Sequence, residues 1–194
     1  MKALLVVLGI VGVLALMSVS SYNGLVSSEE SVKGAWSEVE NVYQRRADLI
    51  PNLVETVKGY AAHESETLKG VVEARAKATQ TTINANDVIN NPDMLNQFQQ
   101  NQGALSSALS RLMVVVEKYP DLKANENFRD LQAQLEGTEN RITVARMRFN
   151  ETAQVFNTKI RKFPTVMLAR ALGFSEKAYF KAEEGANKAP SVKF

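Results

Sequence analysis

The stretch NPDMLNQFQQNQGALSSALSRLMVVVEKYP, residues 91 to 120, decides the fold class. Asn91 offers a capping side chain, Pro92 suits the first helical position, and Asp93 places an acid in the first turn. Apolar positions then recur by three and four, at Leu95, Phe98, Leu105, Leu109, Leu112, Val116 and Tyr119, with Gln102 in the same series, until Pro120 closes the run. This spacing predicts a helix over 92–118 with one face to bury.

The same period continues on both sides. Upstream it passes through Val32, Trp36, Val39, Tyr43, Ile50, Leu53, Val57, Tyr60, Leu68 and Val71. Downstream it runs from about Asn125 to Phe163 through Phe128, Leu131, Leu135, Ile142, Ala145, Phe149, Val155, Phe156 and Ile160, stopped by Pro164. Thr165 to Leu172 reads as a short further helix with Gly173 as its C-terminal cap. The 194 residues are 45% apolar and 7% aromatic, rich in straight-chain helix formers and nearly free of strand signals. With no sheet to receive them, three long helices and a short fourth must bury their stripes on one another. The fold class is therefore all-α, an antiparallel bundle of long helices with shallow crossing angles.

The N-terminus adds a membrane segment. MKALLVVLGIVGVLALMSVSSYN carries no charge from Ala3 to Asn23, and about 20 such residues cross a hydrocarbon core. Ser18-Val19-Ser20 also fits a signal-peptidase site, which keeps a cleaved signal peptide open as the alternative. The length of the apolar run favours an uncleaved transmembrane anchor over residues 1–21, with residues 3–21 in the bilayer. Lys2 on one side against Glu29 and Glu30 on the other tilts the bundle to the extracytoplasmic side of a bacterial inner membrane. A formal charge of +2 does not point to nucleic acid, and the absence of cysteine excludes disulfides, thiolate metal sites and cysteine nucleophiles.

Residues 44 to 56, QRRADLIPNLVET, place Pro51 inside the first helical pattern. If that helix continues to about residue 78, its neighbours are too short to cover it, and residues 22–50 are left without an intramolecular partner. The expected organisation is a membrane-proximal stalk over 22–50, a bundle over 51–180 and a tail over 181–194, with Pro51 kinking the helix at the joint. The alternative reading folds residues 25–49 back as another bundle helix. A bare seam at Val32, Trp36, Val39 and Tyr43 would invite a second copy, which motivates an expected homo-oligomer.

The runs YNGLV (22–26), AWSEVENVYQRRADLIPNLVETVKGYAAHE (35–64), TLKGVVEARAKA (67–78), TENRITVARMRFN (138–150) and FNTKIRKFPTVMLARALGF (156–174), with the YF pair ending at Phe180, resemble the LemA family of bacterial membrane proteins. The resemblance implies an N-terminal membrane segment and an antiparallel helical bundle, with no settled biochemical activity. It also implies a magnetosome-associated branch linked to membrane organisation, and genomic proximity to membrane metallopeptidases. Some members resemble lipoproteins with a cysteine before the Tyr-Asn pair. Here that position is Ser21, so the helix must anchor by itself.

Candidate chemistry is sparse. His63-Glu64 begins like a zinc-protease helix, but Thr67 stands where the second imidazole is needed and the chain holds one histidine. A metal-dependent hydrolase at His63 is thus a remote alternative, and no catalytic, cofactor or metal residue is assigned. Charges interrupting the apolar seam are the interaction candidates: Arg45, Arg46 and Asp48 beside Pro51, then Glu64 and Arg75, together with Trp36 and Tyr43. Glu139, Arg141 and Arg146 join them downstream. A buried Arg46 must be paired, with Glu139 or Glu151 as acids in reach and a proline-freed carbonyl as an acceptor. Lys159, Arg161, Lys162 and Arg170 form a basic stretch, expected at the end of the bundle away from the anchor. The function read from these features is a membrane-anchored, non-enzymatic helical scaffold, with an adaptor of a membrane protease as the alternative. The expected partners are the bilayer, copies of itself and a membrane protein or protease, not a small-molecule substrate.

Overall fold

The structure is a computed structural model describing residues 1–80 and 85–181. Among these residues there are seven helices and no strand: α1 (Lys2–Lys58), α2 (Ser65–Gln80), α3 (Ala85–Asn90), α4 (Pro92–Val116), α5 (Pro120–Ala124), α6 (Glu126–Arg161) and α7 (Thr165–Ala171). The α4 start is built as its sequence asks, with the Asn91 side chain accepting from the amides of Asp93 and Met94 and Pro92 in the first turn. At the other end of the chain α7 closes in a Schellman motif: Gly173 has φ +78°, its N–H reaches Arg170 O, and Phe174 N–H reaches Ala169 O.

α1 is one helix of 57 residues, and it does not end at Pro51. The reversal comes at residues 59–64, where Ala61 turns inward and is buried. In the sequence this falls in the step from Tyr60 to Leu68, where the three-four series carries Glu64 in place of an apolar residue. α2 then returns along the outer half of α1, α4 runs outward again, and α6 descends along α1 over most of its length. The turn after α4 lies at the far end of the bundle, where Tyr119 Oη donates to Glu64.

Two expectations about the membrane-proximal part are overturned by this path. Residues 22–50 have intramolecular neighbours: Leu25, Val32, Trp36, Val39 and Tyr43 are buried in one cluster with Phe98, Ile142, Phe149, Phe156 and Phe180. The seam expected to invite a second copy is filled by α6 and by the C-terminal segment. The basic stretch is also at the other end, beside the anchor, since Lys159 Nζ donates to Gly24 O at 2.5 Å and the Phe174 ring meets Tyr22 at 6.2 Å. The physical reason is the same in both cases. α1 turns back at 59–64, so the full 36 residues of α6 are free to cover its lower half. Two members of the expected α6 stripe, Val155 and Phe163, are exposed.

After Gly173 the chain leaves helical geometry and residues 174–181 rise along the bundle as an extended strap. Its backbone finds partners in side-chain amides. Asn157, 1% exposed, donates to Lys177 O (2.9 Å) and accepts from Lys177 N (2.8 Å), and Asn150 repeats the pair on Phe180 (3.0 and 2.9 Å). Gln99 of α4 does the same for Lys181, and Ala178 N–H reaches Ile89 O. Asn150 and Asn157 are seven apart, two turns on one face of α6, so they meet an extended segment at successive points.

Candidate functional site

The residues around Pro51 form a polar layer across the bundle. Arg46 is 2% exposed. Its Nη1 donates to Glu139 (2.9 Å) and Ser106 Oγ (2.8 Å), and its Nη2 donates to the side-chain oxygen of Gln102 (2.7 Å). Gln102 in turn donates to Ala78 O at 3.2 Å, and the guanidinium lies 5.1 Å from the Tyr43 ring centre. One side chain of α1 therefore ties α2, α4 and α6 together. The pairing is charge-assisted on the Glu139 side, although Glu139 itself is half exposed and water weakens its pull.

Pro51 explains a second contact. A helical proline has no N–H to offer the carbonyl four residues earlier, which is Ala47 O. Arg75 Nε of α2 donates to that oxygen at 2.7 Å. The proline thus creates an acceptor inside the bundle, and the returning helix supplies the donor.

Above Arg46 lies an open cleft of about 480 Å³ lined by Tyr43, Gln99, Gln102, Glu139, Arg146 and Lys181, among others. Arg146 donates to Lys181 O at 3.1 Å and lies over the Phe180 ring at 4.9 Å, so it links α6 to the end of the strap. Trp36 sits beneath this region, with ring centres of Phe98, Phe149 and Phe180 at 5.3, 5.5 and 6.0 Å.

The structure thus gathers Tyr43, Arg46, Glu139 and Arg146 around the cleft, with Trp36 beneath it and Arg75 of α2 reaching the Ala47 carbonyl. Arg45, Asp48 and Arg141 are exposed, Asp48 accepting from Gln44 (2.7 Å) and Arg141 lining a separate shallow cleft with Glu38 and Val42. Glu64 belongs to the far end, where loss of water around the Tyr119 ring and then the Glu64 hydrogen bond hold the Tyr119 hydroxyl above its ordinary pKa. Glu151, the other acid considered for Arg46, is exposed on α6. His63 is exposed in the 59–64 turn, and no three metal-ligating side chains converge among the described residues.

Sequence reasoning missed Gln102 as a partner, it grouped Asn150 with Arg146 and Arg148 without seeing its role, and it missed Asn157 and Lys177 entirely. Lys177 is 3% exposed and held by Glu29 (2.6 Å), Asn90 (2.7 Å) and the Phe156 ring. One signal was present for Gln102, a polar residue at an apolar position of the α4 stripe.

The family model described as the LemA family matches residues 35–194. Among curated proteins the chain is 29% identical to magnetosome protein MamQ of Magnetospirillum gryphiswaldense over 82% of its own length, spanning 64% of that protein. It is 26% identical to magnetosome protein MamQ 2 of Paramagnetospirillum magneticum, over 97% of this chain and 75% of that one. Against protein LemA of Metamycoplasma hominis the identity is 25%, over 90% and 75% of the two chains. The matched region begins at Ala35, just before Trp36, and takes in the polar layer, α6, α7 and the strap, so the chain belongs to the LemA family.

Proposed function

We propose that this protein is a non-enzymatic, single-pass membrane scaffold whose bundle stands as a stiff post on the bilayer and offers its Arg46 cleft face to partner proteins. The observation that carries this reading is the unbroken α1. Leu4, Leu8, Val11 and Leu16 are each more than half exposed, and the same helix enters the buried cluster at Leu25 with no linker between. A helix of this kind transmits orientation from membrane to bundle, whereas a flexible linker would uncouple them. A post of fixed direction suits the holding of proteins at a set height, and the magnetosome names of two relatives agree with a role in membrane organisation. The cleft rim is polar and mixed in charge, with Arg146, Lys181 and Glu139, the composition of a reversible protein contact.

The test is photocrosslinking in the native membrane. A photoreactive residue at Gln100, on the cleft, is expected to give a discrete protein adduct that is lost in the Arg146→Glu background, while the same residue at Val114 on the outer half of α4 gives none. Adducts of equal pattern at both positions, or none at either, overturn the reading. An adduct of twice the chain mass would identify the partner as a second copy.

A further inference from the structure

The corner between α6 and α7 has a composition that its position explains. Pairings of α1 with α6 descend toward the anchor from Arg46–Glu139 through Glu38–Arg148 to Gly24–Lys159. Phe163 lies one further turn along, level with the turn of α1 before Gly24, where the apolar span ends. Phe163 is 81% exposed, Met167 68% and Leu172 50%. Lys162 and Arg170 stand exposed among them, and no acid occurs from Thr152 to Phe174. The nearest acids are engaged elsewhere: Glu176 lies 3.7 Å from Arg161, Glu29 holds Lys177, and Glu30 holds Lys33. Three large apolar side chains facing water beside two cations are costly on a free surface but in place at the interface of a bilayer, where apolar groups enter the acyl boundary and cations meet phosphates.

We propose that this corner is a second membrane contact, in which Phe163, Met167 and Leu172 enter the bilayer that α1 crosses and Lys162 and Arg170 bind the phosphates of anionic lipid headgroups. A single helix leaves the post free to spin about its own axis. A contact displaced from that axis by the width of a helix pair, about 10 Å, fixes the rotation and so the direction in which the Arg46 cleft faces.

The inference rests on α1 spanning the bilayer, and the experiment separates the two. Full-length protein is reconstituted into vesicles of phosphatidylcholine with or without phosphatidylglycerol, with acyl chains brominated near the headgroup. Tryptophan reporters are placed at Phe163, at Leu8 within the span and at Val114 at the far end, over the constant background of buried Trp36. The expected result is that Phe163→Trp emission shifts to the blue and is more than halved by brominated lipid when phosphatidylglycerol is present. Charge reversal by Lys162→Glu with Arg170→Glu should reduce that quenching to the level seen in phosphatidylcholine alone. Leu8→Trp should be quenched in both lipids and Val114→Trp in neither. Quenching at Leu8 but not at Phe163 overturns the second contact and leaves the anchor standing, while loss of both removes the anchor and the inference with it. Equal quenching at Phe163 in both lipids overturns the phosphate contacts, and a blue shift without quenching that grows with protein concentration overturns the lipid in favour of a second copy.

Discussion

The two halves of the bundle are built from different materials. The outer half is mainly aliphatic, with Ile50, Leu53, Val57, Leu68, Val71, Leu105, Leu112 and Val116 meeting where four helices run side by side and Phe128 as its one fully buried ring among the described residues. The half nearer the membrane is aromatic, with Trp36, Tyr43, Phe98, Phe149, Phe156 and Phe180 packed edge to face and stacked. The difference follows from what each half has to accommodate. Helix on helix is filled well by branched aliphatic ridges entering grooves, and away from the helix ends and Ala47 O the backbone groups are satisfied within the helices. The lower half, which α2 does not reach, is completed by an extended strap that brings fewer side chains and an unpaired backbone. Large rings supply burial per residue, and Asn150, Asn157 and Gln99 supply the hydrogen bonds. The Arg46 layer lies where one regime gives way to the other.

The largest expected effect is at the centre of the aromatic half. Trp36→Ala should destabilise the protein by about 4 kcal/mol, measured by denaturant-dependent proteolysis of full-length protein in micelles. Its indole N–H finds no hydrogen-bond partner among the described residues, so Trp36→Phe should retain most of the stability. A comparable loss for the phenylalanine variant would show that the indole nitrogen matters more than the packing.

Next comes the boundary. Arg46→Ala leaves Gln102 and Ser106 without their donor inside the bundle, whereas half-exposed Glu139 can recover water. The expected cost is about 3 kcal/mol, with Arg46→Met costing less because it fills the space and Arg46→Lys little better than Ala, since an ammonium cannot reproduce the guanidinium fork. If Arg46→Lys proves equal to wild type, the layer is held by charge and not by geometry.

Asn157→Ala should cost about 2 kcal/mol, because it strips both backbone partners from Lys177 at a buried position. Its signature is local. Hydrogen exchange should rise in the strap and in residues 25–43 of α1, with the aliphatic half unchanged. Exchange rising equally around Leu105 and Leu112 would mean that the two halves are one cooperative unit.

These contrasts also mark what the sequence could disclose. Helices α4, α6 and α7 were legible within two residues, because caps, prolines and a three-four stripe act locally. Arg46 paired with Glu139 was legible as one of two options, since a charge on an apolar stripe must find an acid. The end of α1 was misplaced because the spacing of eight from Tyr60 to Leu68 keeps the three-four register, so the pattern reads on to about residue 78, while the helix stops at Lys58 and the cost of Pro51 within it is offset by Arg75. The strap was invisible because it has no period: its fold depends on amides of Asn150 and Asn157, ordinary surface residues by sequence, and on an aromatic cluster that exists only after the helices meet.

The smallest effect tests the pairing of Pro51 with Arg75. With Pro51 present, Ala47 O depends on Arg75 Nε, so Arg75→Ala should cost about 1 kcal/mol, the worth of one inward-facing hydrogen bond. Pro51→Ala restores an N–H four residues after Ala47 and lets the helix satisfy the oxygen itself. In that background Arg75→Ala should cost almost nothing, and a double-mutant cycle should return nearly the whole of the single-mutant value as coupling. A cycle with no coupling would mean that Arg75 stabilises the outer half through its stem and not through the carbonyl. The proline would then be a tolerated defect on an exposed face, and the tie between α1 and α2 would belong to aliphatic packing alone.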